Sequence, residues 1–506
     1  MKSKLKNKNR EGEITRDWLL YTKGVDFASQ TGFKSTVSKN ERFYRGDQWH
    51  GVKANNLPTP VFNIFKRIID YVIAYICSSP IKISYRAEDE RACEILNNEA
   101  EHIWEENKME VKLKKALLNA AVSGDMCAHV YWDKNAVRSN GIRGDFKTEI
   151  LDSENVYFGD VTRNDVSKQP YIIIAGRTFT SELIAEAKAM GLKKEEIEKI
   201  TPDSDPNMID GIEDGSLRTT YLVRYFFGSD GKVHYSKSTR CAVIKSDVNT
   251  GLSRYPIAFA NWTEKKGSYH GESFAGGIIP NQIFINKMFA MAMKSLMDTA
   301  FPKAIYDKTK VASWSNAVGA ALAVNGDVSG VARYLEGAGI DPNAMMLIDR
   351  AVKYTEECLG ATDVLLGQSI RPDNAAAITA LGQNAAIPME IIKQNLYNFT
   401  EDIALIWLDF LKTKFIAKKR LLLERNGSLA DFEYSPSEIK KAAVRVKVDI
   451  GPSSFISEMS SVNTLASLFN SGAIDAVQYL KRLPKGYVPA VNELIAELSS
   501  NREELQ

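Results

Sequence analysis

The chain has 506 residues, 44% apolar and 25% charged, enough for several domains and at least one large core. Its 65 basic and 63 acidic residues leave a formal net charge of +2, which allows contact with nucleic acid but excludes a protein that grips phosphates over a broad face. The five cysteines, Cys77, Cys93, Cys127, Cys241 and Cys358, form no CxxC pair, which excludes a zinc ribbon or a disulfide framework and fits free thiols in a reducing cytoplasm.

Residues 1–10 hold five basic residues at alternating positions and read as a solvated basic tail or as an arm touching a partner. No apolar segment of the kind found in secretory signals follows them. Residues 13–50 read as helix and then turn, so Arg45-Gly46-Asp47 is a helix end rather than an adhesion motif. Pro58 and Pro60 demand extended backbone before a helix that starts at Val61. That helix, 61–77, carries Lys66, Arg67 and Asp70, which makes it an amphipathic core helix and not a membrane span. The chain is therefore expected to be soluble and cytosolic, with no membrane partner.

A second helical segment, 88–123, includes Ile95, Ile103, Leu113 and Leu117 among its apolar positions. From 126 to 260 the pattern changes to strands at 127–132, 148–151, 171–175, 220–227 and 233–235, with Asp230-Gly231 as a hairpin signal. A helix at 180–199 and a polar loop at 201–216, with five acidic residues, interrupt them. This region is expected to be one α+β domain.

The second half is mainly helical. Residues 276–300 predict a helix with Pro280 in its first turn and Pro302 as its stop. A short mixed region, 301–341, leads to a helix over 342–359, entered through Asp341 and Pro342 and closed by Gly360. After a loop at 361–373, a helical stretch of 45 residues from Asn374 to Lys418 would span about 65 Å, with a kink expected at Pro388. Helices at 454–470, 474–482 and 488–504, divided by Gly472 and Pro484, complete the chain.

Enzyme signatures are missing. There is no GxxxxGK[ST] phosphate loop, no HExxH, no GxSxG and no kinase set. The five histidines are scattered, and His129 on a strand reads as a structural residue. Dispersed acidic ligands leave a metal-dependent nuclease as the alternative reading, with another minor head protein of a virion as a third.

Several strings, in this order, resemble the portal proteins of tailed bacteriophages. They are Tyr44-Arg-Gly-Asp-Gln-Trp49, Pro60-Val-Phe-Asn63, Val72-Ile-Ala-Tyr-Ile-Cys-Ser-Ser-Pro-Ile81, Gly271-Glu-Ser, Asn281-Gln-Ile-Phe-Ile-Asn286 and Ser461-Val-Asn-Thr-Leu-Ala-Ser-Leu-Phe-Asn-Ser-Gly-Ala-Ile474. The resemblance covers about residues 15–500. It departs at Asn374, where Ala375-Ala-Ala377 keeps the small size of the relatives' Ser-Gly pair but not its glycine hinge.

The resemblance implies an α+β, mainly helical portal-type fold with wing, stem, clip and crown regions. After the basic tail at 1–10, the wing would be 11–275 plus a long kinked helix, 374–430. The stem would be helices 276–300 and 342–359, the clip 301–341, and the helical crown 431–506. It also implies a non-enzymatic ring homo-oligomer of twelve subunits at one capsid vertex, with no cofactor and no metal. The ring would pass double-stranded DNA without sequence specificity during packaging and ejection. Its partners would be the terminase large subunit, the major capsid and scaffold proteins and a neck or tail adaptor, in the virion and in host cytoplasm during assembly. The loop 360–373 would be the tunnel loop, with Gly367, Gln368, Ser369 and Arg371 at the DNA. On the first stem helix Met288, Met291, Met293 and Met297 predict burial between neighbours, while Lys287 and Lys294 are candidates for charged rings in the channel. Trp314 and Tyr334 are candidate clip interface anchors.

Overall fold

The computed structural model describes residues 2–54, 57–78, 81–137, 143–203, 217–301, 303–311, 313–315, 323–335, 342–358, 375–414, 419–425, 428–434, 439–440, 444–450, 455–483 and 494–495. The backbone is helical from Lys2 to Gln30 (α1), so residues 2–10, read as a basic tail or arm, continue a helix. Gly24 lets α1 approach the sheet below it, since a Cβ there would lie 2.6 Å from the Tyr157 ring. Helix α2 (Phe33–Arg45) buries Phe33, Val37, Asn40 and Phe43, a helical stripe on one face. It ends at Gly46 with φ 92°, the left-handed cap that glycine adopts without strain, so the Arg-Gly-Asp string is a helix end as read. Helix α3 (Ile64–Ile76) starts three residues later than expected, because the Asn63 side chain accepts a hydrogen bond from Lys66 N and caps it there. Its buried face is Phe65, Ile68, Ile69, Val72 and Ile76, with the charged residues outside.

Strand β1 (Ile81–Ala87) leads to α4 (Glu90–Glu106) and α5 (Met109–Ser123). Eight antiparallel strands follow in two sheets. β2 (Asp125–Val137), β3 (Arg143–Ile150) and β9 (Ile257–Asn261) form a sheet of order β3-β2-β9. β4 (Val156–Phe158), β5 (Tyr171–Phe179), β6 (Arg218–Phe227), β7 (Val233–Thr239) and β8 (Val243–Asn249) form the second, in sequence order. The hairpin at Asp230-Gly231 joins β6 to β7, as the turn signal predicted. The helix expected over 180–199 is divided into α6 (Thr180–Ala189) and α7 (Lys194–Ile197).

Helix α8 (Phe274–Ala300) begins with Ser273 as its N-cap. Pro280 is thus its seventh residue and not a first-turn residue as expected; it removes one internal bond that longer flanking helix and tertiary packing compensate. The chain passes through the antiparallel pair β10 (Lys303–Tyr306) and β11 (Ala332–Leu335) into α9 (Pro342–Cys358), which packs back on α8. Helix α10 (Ala375–Lys414) runs through Pro388 as one element.

Beyond it the expectation of helix is overturned. Strand β12 (Lys419–Arg425) pairs antiparallel with β13 (Ser428–Tyr434), and β14 (Val444–Ile450) pairs antiparallel with β1 over Ile81↔Ile450 to Ala87↔Val444. Helices α11 (Phe455–Asn470) and α12 (Ala476–Arg482) follow; most of the expected 488–504 helix lies outside the described residues. The class is α+β.

One contiguous core takes residues from α2 to α5, both sheets, the start of α8 and the second half of α10. Trp407 of α10 is fully buried and donates from Nε1 to Thr148 Oγ1 at 2.9 Å. Tyr85 OH donates to the Ala404 carbonyl at 2.7 Å. The α1 helix is tied to the larger sheet by a buried ion pair, Arg224 Nε to Asp17 Oδ1 at 2.6 Å, with Ser236 Oγ donating to the other oxygen. No described helix is long and apolar enough to cross a membrane.

Candidate functional site

The hairpin of α8 and α9, with the β10–β11 pair at its tip, is only partly covered by the core. The first half of α8 is buried through Ala275, Ile278, Ile279, Gln282, Ile285, Asn286 and Ala290. Its second half is not: Met291 is 51% exposed, Leu296 61%, Met297 52% and Phe301 80%. Met345, Met346, Leu347 and Tyr354 of α9 are exposed as well. A run of large apolar side chains in water on two packed helices marks an interaction surface.

The footing of this hairpin is a buried amide network. Gln48 donates to Asn63 Oδ1 at 3.0 Å and to the Phe43 carbonyl at 3.1 Å, and its Oε1 accepts from Asn286 Nδ2 at 2.6 Å. Gln282 donates to Asn286 Oδ1 and to the Phe62 carbonyl, both at 2.9 Å, and accepts from Phe65 N at 3.0 Å. Asn63 donates to the Tyr44 carbonyl, and Trp49 Nε1 to that of Pro60. Three of the strings singled out in the sequence, 44–49, 60–63 and 281–286, therefore meet in one place. Buried amides are retained only where each donor and acceptor is matched, so these residues fix α8 to α2 and α3 in one register. None of the four amide residues stood out as a site in the sequence; the strings containing them did.

A second cluster sets where α8 begins. Asp125 accepts from Asn261 Nδ2 and from Gly271 N, each at 2.8 Å, and meets His270 Nδ1 at 2.6 Å. The His270 ring stacks on Phe33 with centroids 3.6 Å apart. Asn40 donates to the Val122 carbonyl and to Ser273 Oγ, the α8 cap. At its other end α9 is held by Arg67 and Glu356, 3.7 Å apart.

The two lysines of α8 differ from each other. Lys294 is half-buried and pairs with Asp298 one turn on. Lys287 is exposed and lines a groove of about 310 Å³ with Lys39, Arg42, Trp49 and Val52. Trp314 lies between Tyr306, stacked at 5.5 Å, and Tyr334, edge-on at 6.1 Å. The structure thus brings these two candidate interface residues together, Tyr334 still 55% exposed. Gly367, Gln368, Ser369 and Arg371 lie outside the described residues.

His129 is bonded to Tyr225 OH at 2.8 Å, and burial pushes its pKa down to about 4, which holds it neutral as a structural residue. Among the described residues no three His, Cys, Asp or Glu side chains are placed to hold a metal ion.

No curated protein matches the chain. Residues 31–227 match the model of the phage P22-like portal protein family. The matched segment runs from α2 to β6 and holds Gln48 and Asn63, the α2 and α3 side of the footing; the α8–α9 hairpin lies beyond it. The match supports the portal resemblance read from the sequence: residues 31–227 are similar to the phage P22-like portal proteins.

Proposed function

We propose that the protein is the structural subunit of a portal ring at one capsid vertex, the conduit for double-stranded DNA in packaging and ejection. The observation that carries this reading is the apolar surface left in water on α8 and α9. A closed ring needs heterologous contacts between neighbours, and paired helices repeated about an axis would bury that surface while walling a channel. The match to the P22-like portal family supports the structural role and the place in the virion capsid.

In this reading α8 and α9 are the stem, the β10–β11 pair with Trp314 and Tyr334 the clip, and the body with α10 the wing. The clip would dock the terminase motor and then the neck or tail adaptor. Lys294 is the channel-facing charge of the stem. Its pairing with Asp298 cuts its pull on phosphate, which suits a duplex that must slide. The tunnel loop, with Gly367, Gln368, Ser369 and Arg371, would approach DNA at the narrowest point.

Twelve chains of 56.4 kDa make a ring of about 677 kDa. Native mass measurement with electron-microscope images of the purified chain tests the reading. Rings with a central pore are expected, and a solitary monomer under all assembly conditions, or metal-dependent DNA cleavage by the pure protein, would overturn it.

A further inference from the structure

Two oppositely charged surfaces on this chain fit each other, and each is left open within one copy. The first is a stripe on α4. Glu90, Glu94, Glu101 and Glu105 fall within an arc of about 60° at 100° per residue. Glu90, Glu101 and Glu105 are exposed. The second is the groove between α2 and α8. Its lining includes the apolar Phe43, Trp49, Val52 and Ile283 together with the cations Lys39, Arg42 and Lys287. The one carboxylate lining it, Asp47, has His50 within 3.5 Å. Among the described residues no ion pair joins Glu90, Glu101 or Glu105 to Lys39, Arg42 or Lys287.

The Glu101 and Glu105 end of the stripe and the groove lie toward different ends of one helix, α5. α2 packs on the end of α5, where Asn40 bonds the Val122 carbonyl, while α4 enters the start of α5 through Asn107 and Lys108. Fifteen residues of α5 separate those ends by about 22 Å. That separation suits a head-to-tail contact, in which each copy offers two different patches and no patch meets itself.

We infer that the glutamate stripe of α4 in one copy docks in the basic groove between α2 and α8 of its neighbour. The inference rests on the ring reading and deepens it by naming the faces that join. Complementary charge at such a contact sets register and speeds encounter more than it adds affinity, while the apolar faces of α8 and α9 supply the burial. Lys287 then serves the contact between copies, and Lys294 is left to the channel.

The test is a charge swap in the full-length chain, read as the protein concentration at which rings form at low salt. Lys39→Glu with Arg42→Glu, and separately Glu101→Lys with Glu105→Lys, should each raise that concentration about tenfold or more. The four changes together should restore it to within about threefold of the parent. Neutral variants, Lys39→Gln with Arg42→Gln, should give an intermediate shift and guard against misfolding of the reversed pair. Reversed pairs that assemble like the parent, or a fourfold variant no better than either pair, would overturn the inference while leaving the ring intact. So would a groove variant that assembles normally but no longer retains a short DNA duplex, since the groove would then face nucleic acid. A parent chain that forms no ring would instead remove the reading beneath it.

Discussion

Asn286 on α8 donates a 2.6 Å hydrogen bond to Gln48, 238 residues earlier in the chain. Both side chains are buried, and Gln48 also spends its amide on Asn63 and the Phe43 carbonyl. The bond is therefore the joint between the body of the protein and the projecting hairpin. Its partners have no water to turn to if it is cut.

Replacing Asn286 with Ala leaves Gln48 Oε1 and Gln282 Nε2 each short of a partner, at a cost of about 1–3 kcal/mol per stranded group. Gln48→Ala should cost a similar amount, and the double variant clearly less than the sum, because the two act through one network. Urea midpoints for the four proteins check this. Additive losses would mean that the network is not a unit.

Trp407 anchors α10 to the sheet through both its ring and its Nε1 bond to Thr148. Trp407→Ala should lose about 3–5 kcal/mol through lost burial and the cavity left behind. Trp407→Phe should lose less, since it strands the Thr148 hydroxyl but keeps much of the packing. Thermal unfolding of the two variants gives the comparison.

These anchors show what can be read without coordinates. The stripe of α3, Phe65-Ile68-Ile69-Val72-Ile76, is periodic enough to give both the helix and its buried face. The α8–α9 pair is legible for the same reason. The partner of β1 is not. In β14 the string Val444-Arg-Val-Lys-Val-Asp-Ile450 alternates with a period of two, a strand signal that lay in a stretch read as helix. Lys419-Arg-Leu-Leu-Leu-Glu-Arg425 misleads more deeply, because leucine, lysine, arginine and glutamate all favour helix and only the pairing with β13 makes β12 a strand. Likewise, Gln48, Asn63, Gln282 and Asn286 look like ordinary surface amides until the fold joins them in one network.

Glu154 carries a pH dependence. It is 8% exposed, its Oε1 has no hydrogen-bond partner, and burial first, then the nearby Glu41 and Asp152 carboxylates against Lys34, pushes its pKa up to about 7. The folded state thus holds a proton that the unfolded chain releases near pH 4.5. Stability should fall as pH rises from there through about 7, by about 3 kcal/mol from this group. Glu154→Gln should remove that slope and be the more stable protein at pH 8. Denaturant midpoints for both proteins at pH 5 and pH 8 decide it, and an unchanged pH profile would show that Glu154 is not the source.

Leu296 and Met297 contribute little to the folded monomer, being more than half exposed. Leu296→Gln with Met297→Gln should leave the unfolding midpoint within about 0.5 kcal/mol of the parent. The same change should suppress ring formation at least about tenfold, because the proposed ring would bury the patch once per subunit. A variant that assembles normally would mean that this surface serves some other contact.

The proposed tunnel loop can be separated from assembly in the same way. Deleting 364–372 removes Gly367, Gln368, Ser369 and Arg371 without touching α8, α9 or the buried amide footing, so rings should still form at the parent's mass. Packaging of DNA into heads should fail, because the groups that would hold the duplex at the narrowest point are gone. Lys294→Ala is the milder companion change. With its charge already shared with Asp298, it should lower packaging efficiency only a few-fold and leave ring mass unaltered. Heads that fill normally around the deleted rings would move the DNA contact elsewhere in the channel.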